Sequence, residues 1–258
     1  MSAETMAELR VPASLQWQAL SGRTIRAAVR EGDLLFGFLA PTVFFICFYV
    51  PLRHSMELGG GKYAQYLLPV IVLQAMFFTA MSAGDRAARD TFSGMGTRLR
   101  SMPVRSWLPL AARMSANLMR ALAAIAGALL IGSAFGFRFH DIGGAVVFLA
   151  LVLAFGVALV IGADALGVIV GKPEAGASIL LVPQLLLVMT STGFVPAQAF
   201  PGWIQPFVRN QPVSRAAAAL RDLTDGKYTV ALGISAVWVV GMIVTFTAVS
   251  VAVERRRA

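Results

Sequence analysis

Long apolar runs alternate with short charged connections along the whole chain. Runs 34–52, 64–84, 114–137, 142–170 and 229–253 are each about as long as a membrane crossing demands. An α-helix rises about 1.5 Å per residue, so about 20 residues cover a hydrocarbon core of roughly 30 Å. Residues 175–208 carry no charge over 34 residues, too many for one straight span, and Pro183, Gly193, Pro196, Pro201, Gly202 and Pro206 interrupt them. This stretch divides into a fifth span over 177–193 and a non-spanning apolar segment, and 229–253 becomes the sixth span. Ahead of the first span, 14–30 sets Arg23, Arg26 and Arg30 on one helical face and Trp17, Leu20 and Ala27 on another. That pattern suits a helix lying in the membrane interface, and equally an ordinary amphipathic helix in the cytoplasm. The expected fold is all-α: six transmembrane helices preceded by an amphipathic one.

The connections refine this picture. Arg138-Phe139-His140-Asp141 is so short that the third and fourth spans form an antiparallel hairpin, and Gly59-Gly60-Gly61 makes a turn between the first two. Pro41 and Pro69 inside spans are expected to kink them toward protein partners. Gly132/Gly136 and Gly167/Gly171 have the Gly-x-x-x-Gly spacing of close helix contacts, a weak signal in a glycine-rich chain. The stretch from Asp85 to Arg113 is the polar exception, with six arginines and a break at Gly94-Met95-Gly96. Prolines 196, 201, 206 and 212 cut the segment before the last span into short pieces, because proline lacks a donor and clashes with the preceding turn. Its apolar face, with Trp203 and Phe207, is expected at the outer leaflet, and Arg221 is able to reach polar groups or lipid headgroups.

Composition confirms the class and charge supplies an orientation. At 57% hydrophobic and 14% charged, with a mean hydropathy of +0.73, the chain is too apolar to cover itself with a solvated surface. Its net charge of +9 does not point to nucleic acid, since the basic residues are scattered between uncharged runs and form no stripe. With both ends inside, the inner segments hold four Lys or Arg in the N-terminal tail, seven from Arg86 to Arg120, Lys172, and three at the C-terminus, against seven outside. The positive-inside rule therefore favours six spans with both termini cytoplasmic. The chain reads as one domain, 1–258: a tail and interfacial helix over 1–33, a bundle over 34–253 and a tail over 254–258.

Few residues are candidates for chemistry. Asp164 is the only acid inside an expected span, and Arg120 lies at a similar depth on the third, so the two are expected to meet within the hairpin. Such a pair is a proton or substrate site, or else a structural ion pair beside a water-facing cavity. His54 and His140 have no acids or cysteines clustered near them, which argues against a metal site, and Cys47 is alone. No Ser/His/Asp geometry suggests a hydrolase. Gly171-Lys172 is followed by proline and lacks the upstream glycine, so no Walker-type phosphate cradle is present. Uphill transport would need a partner for the ATP chemistry. The alternatives are an ion-coupled carrier using Asp164 and a non-transporting scaffold.

The basic loop GTRLRSMPV, the hairpin end GFRF and the stretch FVPAQAFPGWIQPFVRNQPVSRAAAALRDL resemble the ABC type-2 permease family. Within it, the chain is most similar to daunorubicin-exporter permeases, including the mycobacterial type associated with phthiocerol-lipid export. The resemblance implies a coupling helix at 94–105, with Arg98, Arg100, Met102, Pro103 and Arg105 docking on a separate ATPase that binds ATP and Mg. It implies outer re-entrant helices over 196–221, carrying Pro196, Pro201, Trp203, Pro206, Phe207, Asn210, Pro212 and Arg221. It further implies a second permease copy, identical or related, contact with membrane lipid, no cofactor in this chain, and residence in a bacterial inner membrane.

Overall fold

The computed structural model describes residues 13–57, 63–94, 108–194 and 197–257, and among them the chain forms nine α-helices and no strand. In order these are α1 (Ala13–Arg30), α2 (Asp33–Glu57), α3 (Tyr63–Phe92), α4 (Leu108–Ala134), α5 (Ile142–Val170), α6 (Pro173–Met189), α7 (Gln205–Asn210), α8 (Pro212–Thr224) and α9 (Val230–Arg257), with a 3₁₀ turn at Ala197–Ala199 between α6 and α7. Helices α2, α3, α4, α5 and α9 are long and apolar enough to cross a membrane. Helix α6 is apolar but shorter.

Helix α3 is the centre of the bundle. It is apolar on every side, 83% of its most apolar window is buried, and it packs against α2, α4, α5, α6 and α8. By contrast only 6% of the corresponding window of α9 is buried, and α9 leans on α5 and α8 alone among its larger contacts. The core runs from Leu67, Leu68 and Ile71 on α3 through Phe45 on α2 and Phe148 and Phe155 on α5, all fully or nearly fully buried. Helix α1 lies across α4, burying Ala28 and Ser21 while Trp17 stays partly exposed.

Two helix boundaries follow from local chemistry. Helix α5 starts where Asp141 caps it, its carboxylate accepting from the Gly144 N–H at 2.9 Å. It ends at Gly171, whose φ of +60° places it in the left-handed region and whose N–H closes on the Gly167 carbonyl. Helix α3, in contrast, continues eight residues beyond the end of its apolar run at Gly84. Its charged extension is neutralised as it forms: Arg89 pairs with Asp85 one turn back at 2.9 Å, and Arg86 with Asp33 of α2 at 2.6 Å. The polar stretch after the second span is therefore helical at its start.

The glycine patterns divide in function. Gly136 and Gly171 both adopt positive φ at helix ends and make turns. Gly167 is a true close approach: a Cβ there would lie 2.1 Å from the Gly84 carbonyl oxygen of α3. Gly167→Ala should therefore force α3 and α5 apart and lower stability by about 1–3 kcal/mol. Gly233→Ala on α9, where nothing lies within 4 Å, should be neutral or slightly stabilising. Melting temperatures in lipid nanodiscs separate the two, and equal melting of both variants would contradict the contact.

Helix α8 sits against the bundle. Its apolar face is packed into the bundle, with Val213, Ala216, Ala217, Ala219, Leu220 and Leu223 all buried against α3, α5 and α9. Four successive alanines give this helix a slim flank, which lets it approach its neighbours closely. Trp203 and Phe207, just before it, remain exposed at 82% and 54%.

Candidate functional site

Three features stand out: an ion-pair network at the arginine-rich end of the bundle, a cavity beside it, and an arginine clamp at the opposite end.

The network gathers side chains from four helices. Asp33, the first residue of α2, receives Arg86 of α3 at 2.6 Å and Arg120 of α4 at 3.2 Å on one carboxylate oxygen. Arg120 is only 2% exposed and also donates to Asn117 Oδ1 at 2.8 Å. Two turns nearer the start of α4, Arg113 approaches Asp164 of α5 with Nε and Nη2 both at 3.3 Å, and Asp90 of α3 with Nη1 at 3.7 Å. Arg120 and Asp164 are thus both buried ionic groups, as their depth suggested, but the ion pairs they form are Arg120–Asp33 and Arg113–Asp164. The reason is register: Arg113 and Arg120 stand two turns apart on α4, and the lower one faces α5. Asp33, Arg86 and Arg113 were not singled out from sequence. Asp33 had been assigned to the tail, and its only local signal is its place at the head of an apolar run. Beside this network a cleft of about 390 Å³ between α1, α3 and α4 is lined by charges of both signs.

A second cavity, about 430 Å³, lies between α4, α5 and α9. Its walls are mostly apolar, among them Leu118, Leu153, Val157 and Val160. Polar groups reach it from Asp164, Asn117, Ser115, Thr79 and Ser250. That volume is within the range of small-molecule sites, and a few convergent polar groups on apolar walls is their usual composition.

At the far end, Arg221 of α8 donates to three backbone carbonyls: Tyr66 from Nε at 3.1 Å, Thr192 from Nη1 at 3.1 Å and Gly193 from Nη2 at 2.6 Å. Its guanidinium carbon also lies 3.5 Å from the centre of the Tyr66 ring. Burial lowers its pKa from the ordinary arginine value, and Tyr66 opposes that shift. Ser214 adds a bond from the Thr192 N–H at 3.0 Å, and the Tyr66 hydroxyl donates to the Thr192 carbonyl at 2.9 Å. The turn after α6 is therefore fastened to α3 and α8 together. Around it, Pro206 and Pro212 stand in the first turns of α7 and α8, where the missing N–H costs nothing. Ile204 N–H closes a turn on the Pro201 carbonyl. Asn210 accepts from Arg215 and donates to the Pro206 carbonyl. Pro196 and the loop residues Arg98, Arg100, Met102, Pro103 and Arg105 lie outside the described residues.

A bundle of apolar helices with a partly buried ion network at one end suits a transporter's membrane subunit, and comparison with known proteins specifies which kind. The ABC-2 family transporter protein model matches residues 50–252. The chain belongs to the ABC-2 transporter family. Among its relatives, the doxorubicin resistance ABC transporter permease protein DrrB of Mycobacterium tuberculosis (strain ATCC 25618 / H37Rv) is 32% identical over 233 residues, which is 86% of this chain and 80% of that protein. The daunorubicin resistance ABC transporter permease protein DrrB1 of Streptomyces coeruleorubidus is 30% identical over 223 residues, covering 83% of this chain and 74% of that one. The probable doxorubicin resistance ABC transporter permease protein DrrC of M. tuberculosis (strain ATCC 25618 / H37Rv) is 31% identical over 209 residues, 80% and 74% respectively. ABC-2 permeases leave ATP hydrolysis to an associated ATP-binding subunit. The apolar helices and the relatives together place this ABC-2 chain in a bacterial membrane. Among its described residues no group of three or more His, Cys, Asp or Glu could hold a metal ion.

Proposed function

We propose that this chain is the permease half of an ATP-binding-cassette exporter that moves an amphipathic drug or lipid out of the cell. The likeness to DrrB over 86% of the chain carries the reading. A separate subunit binds ATP and Mg and hydrolyses the nucleotide. In this reading α6 is a sixth span: its 17 residues extend roughly 25 Å at about 1.5 Å each, close to the thickness of a thin hydrocarbon core. Both termini then face the cytoplasm, the arginine-rich end is cytoplasmic, and α7 and α8 form the outer re-entrant segment. Trp203 and Phe207 would reach the outer headgroup layer, consistent with their exposure.

Coupling falls to the loop between α3 and α4, with Arg98, Arg100, Met102, Pro103 and Arg105 on the ATPase. Its two ends support this assignment, since Asp90 and Arg113 of the ion network flank it. Replacing Arg98 and Arg100 together by glutamate should cut substrate-stimulated ATP hydrolysis by the reconstituted complex about tenfold, ~1.4 kcal/mol in barrier. Membrane insertion should be unaffected. Unchanged stimulation would reduce the loop to a topology signal, and a complex whose ATP hydrolysis responds to no amphipathic drug or lipid would contradict the exporter reading itself.

The pathway is completed by a second permease copy, identical or related. The little-buried helices α2 and α9 offer apolar surface for it and for lipid. Cross-linking in membranes should recover permease pairs, and an active complex with a single copy would contradict this. The alternative of an ion-coupled carrier using Asp164 gains nothing from the geometry, because Arg113 holds that carboxylate.

A further inference from the structure

We propose that the charged cleft between α1, α3 and α4 is a binding site for a zwitterionic lipid headgroup of the phosphoethanolamine type, its phosphate held by Arg23 and its primary ammonium by Glu31. This site needs only that the chain spans a membrane, and so goes beyond the exporter reading: the lipid is a resident, not the cargo.

The cleft lies at the right height for a headgroup. Helix α3 leaves its apolar run at Gly84, and it lines the cleft with Ser82, Asp85 and Arg89, on either side of that point. The space, about 390 Å³, therefore sits where the hydrocarbon core gives way to the polar layer, and it is large enough for a small polar ligand. Acyl chains have a surface beside it: Leu35 and Phe36, which follow Asp33 of the cleft wall along α2, are each 62% exposed.

The charges select the ligand. Among the described residues, eight ionised side chains line the cleft, four of each sign. Six of them pair across it: Arg86 with Asp33 at 2.6 Å, Arg89 with Asp85 at 2.9 Å and Arg113 with Asp90 at 3.7 Å. The other two are Arg23 on α1 and Glu31 just after it, both exposed, and neither forms an ion pair among the described residues. The cleft thus offers one open base and one open acid. An anion on Arg23 would face Glu31, and a cation on Glu31 would face Arg23, so only a ligand carrying both charges gains at both ends. The phosphodiester suits Arg23, because a guanidinium fork donates to two phosphate oxygens at once. The primary ammonium suits Glu31, because it has N–H groups to give a carboxylate, whereas the trimethylammonium of choline has none. Arg23 and Glu31 stand eight residues apart, roughly 12 Å of helix at about 1.5 Å each, a gap that the long arginine side chain and the headgroup between them can close.

The experiment places the full chain in nanodiscs made of equal parts phosphatidylethanolamine, phosphatidylcholine and phosphatidylglycerol, and native mass spectrometry counts the lipids it retains on release. Phosphatidylethanolamine should be retained about tenfold over phosphatidylcholine, roughly the effect of one charge-assisted hydrogen bond, and should also exceed phosphatidylglycerol. Glu31→Gln should abolish the preference for ethanolamine over choline. Arg23→Gln should weaken retention of both, while Arg23→Lys, which keeps the charge, should preserve the ethanolamine preference. Arg26→Gln is the control and should change nothing, since that guanidinium donates to the Gly22 carbonyl of its own helix at 3.0 Å. All three side chains are exposed and hold no other element, so the variants should keep the wild-type helix content by circular dichroism. Stronger retention of phosphatidylglycerol by the wild-type chain would reduce the cleft to a plain anion site. Equal retention of the ethanolamine and choline lipids, or an ethanolamine preference that survives Glu31→Gln, would each overturn the assignment. Displacement of the lipid by water-soluble glycerophosphoethanolamine at an equal concentration would overturn its source in the bilayer. None of these readouts needs ATP or the partner subunit, so a failure of the exporter reading would show in the ATPase assay and not here.

Discussion

Replacing Asp33 by alanine is expected to be among the most damaging single changes in this protein, lowering stability by roughly 3–5 kcal/mol. The carboxylate is the shared acceptor of Arg86 from α3 and Arg120 from α4, and it stands on the first turn of α2, so one side chain joins three helices. Arg86 is about one quarter exposed and can recover solvation. Arg120 cannot: at 2% exposure, with only Asn117 among the described residues left to accept from it, it becomes a buried and nearly uncompensated charge. Desolvation then decides the outcome, since breaking a buried pair from one side costs more than the pair itself contributes. Replacing both partners, Asp33→Ala with Arg120→Leu, should therefore recover most of the loss. Asp85→Ala is the control: its partner Arg89 is 67% exposed, and the change should stay within about 1 kcal/mol. Thermal unfolding of the four proteins in nanodiscs gives the comparison. A double variant as unstable as Asp33→Ala alone would show that packing, not the orphaned charge, is at stake.

The helices were legible from sequence wherever a local cause sets them. Helix α5 occupies 142–170 in both readings because Asp141 and Gly171 mark its ends chemically. Helix α3 outran its apolar run because hydropathy does not register that Arg86 and Arg89 find carboxylates as the helix continues. The five long apolar helices were visible for the simplest reason, their length, whereas α6 is too short for length alone to decide its role.

Partners were harder to read than helices. Arg120 and Asp164 were matched by depth along their helices, and depth is a one-dimensional coordinate. Which acid an arginine meets depends on helix rotation, and Asp33 lies 87 residues before Arg120, announced only by its place at the head of an apolar run. Helix α8 shows a second limit: PVSRAAAALRDLT is amphipathic whether its apolar face meets lipid or protein, and only the neighbours α3, α5 and α9 decide for protein. Arg221 was expected to reach back to polar groups; the sequence held no sign that those groups would be three main-chain carbonyls.

That clamp supplies the second large effect. Arg221→Leu should lower stability by about 3–5 kcal/mol, since it removes charge-assisted bonds to Tyr66, Thr192 and Gly193 in a site partly shielded from water. Thr192 and Gly193 lie just beyond the C-terminal end of α6, where helical carbonyls run out of donors and the helix dipole favours a cation. The Ser214 and Tyr66 bonds to Thr192 remain, but neither reaches Gly193. Arg221→Lys keeps the charge and loses the fork, so one compact ammonium must serve acceptors spread around a planar group, and only part of the stability should return. The clamp also seats α8, and this can be read directly. In a Cys47→Ala background, a cysteine replacing the fully buried Ala217 should resist a thiol reagent, while one replacing the exposed Trp203 should react at once. Adding Arg221→Leu should make position 217 reactive and leave position 203 unchanged. If position 217 stays protected while the protein is destabilised, α8 is held by its alanine face, and the arginine fastens only the turn after α6.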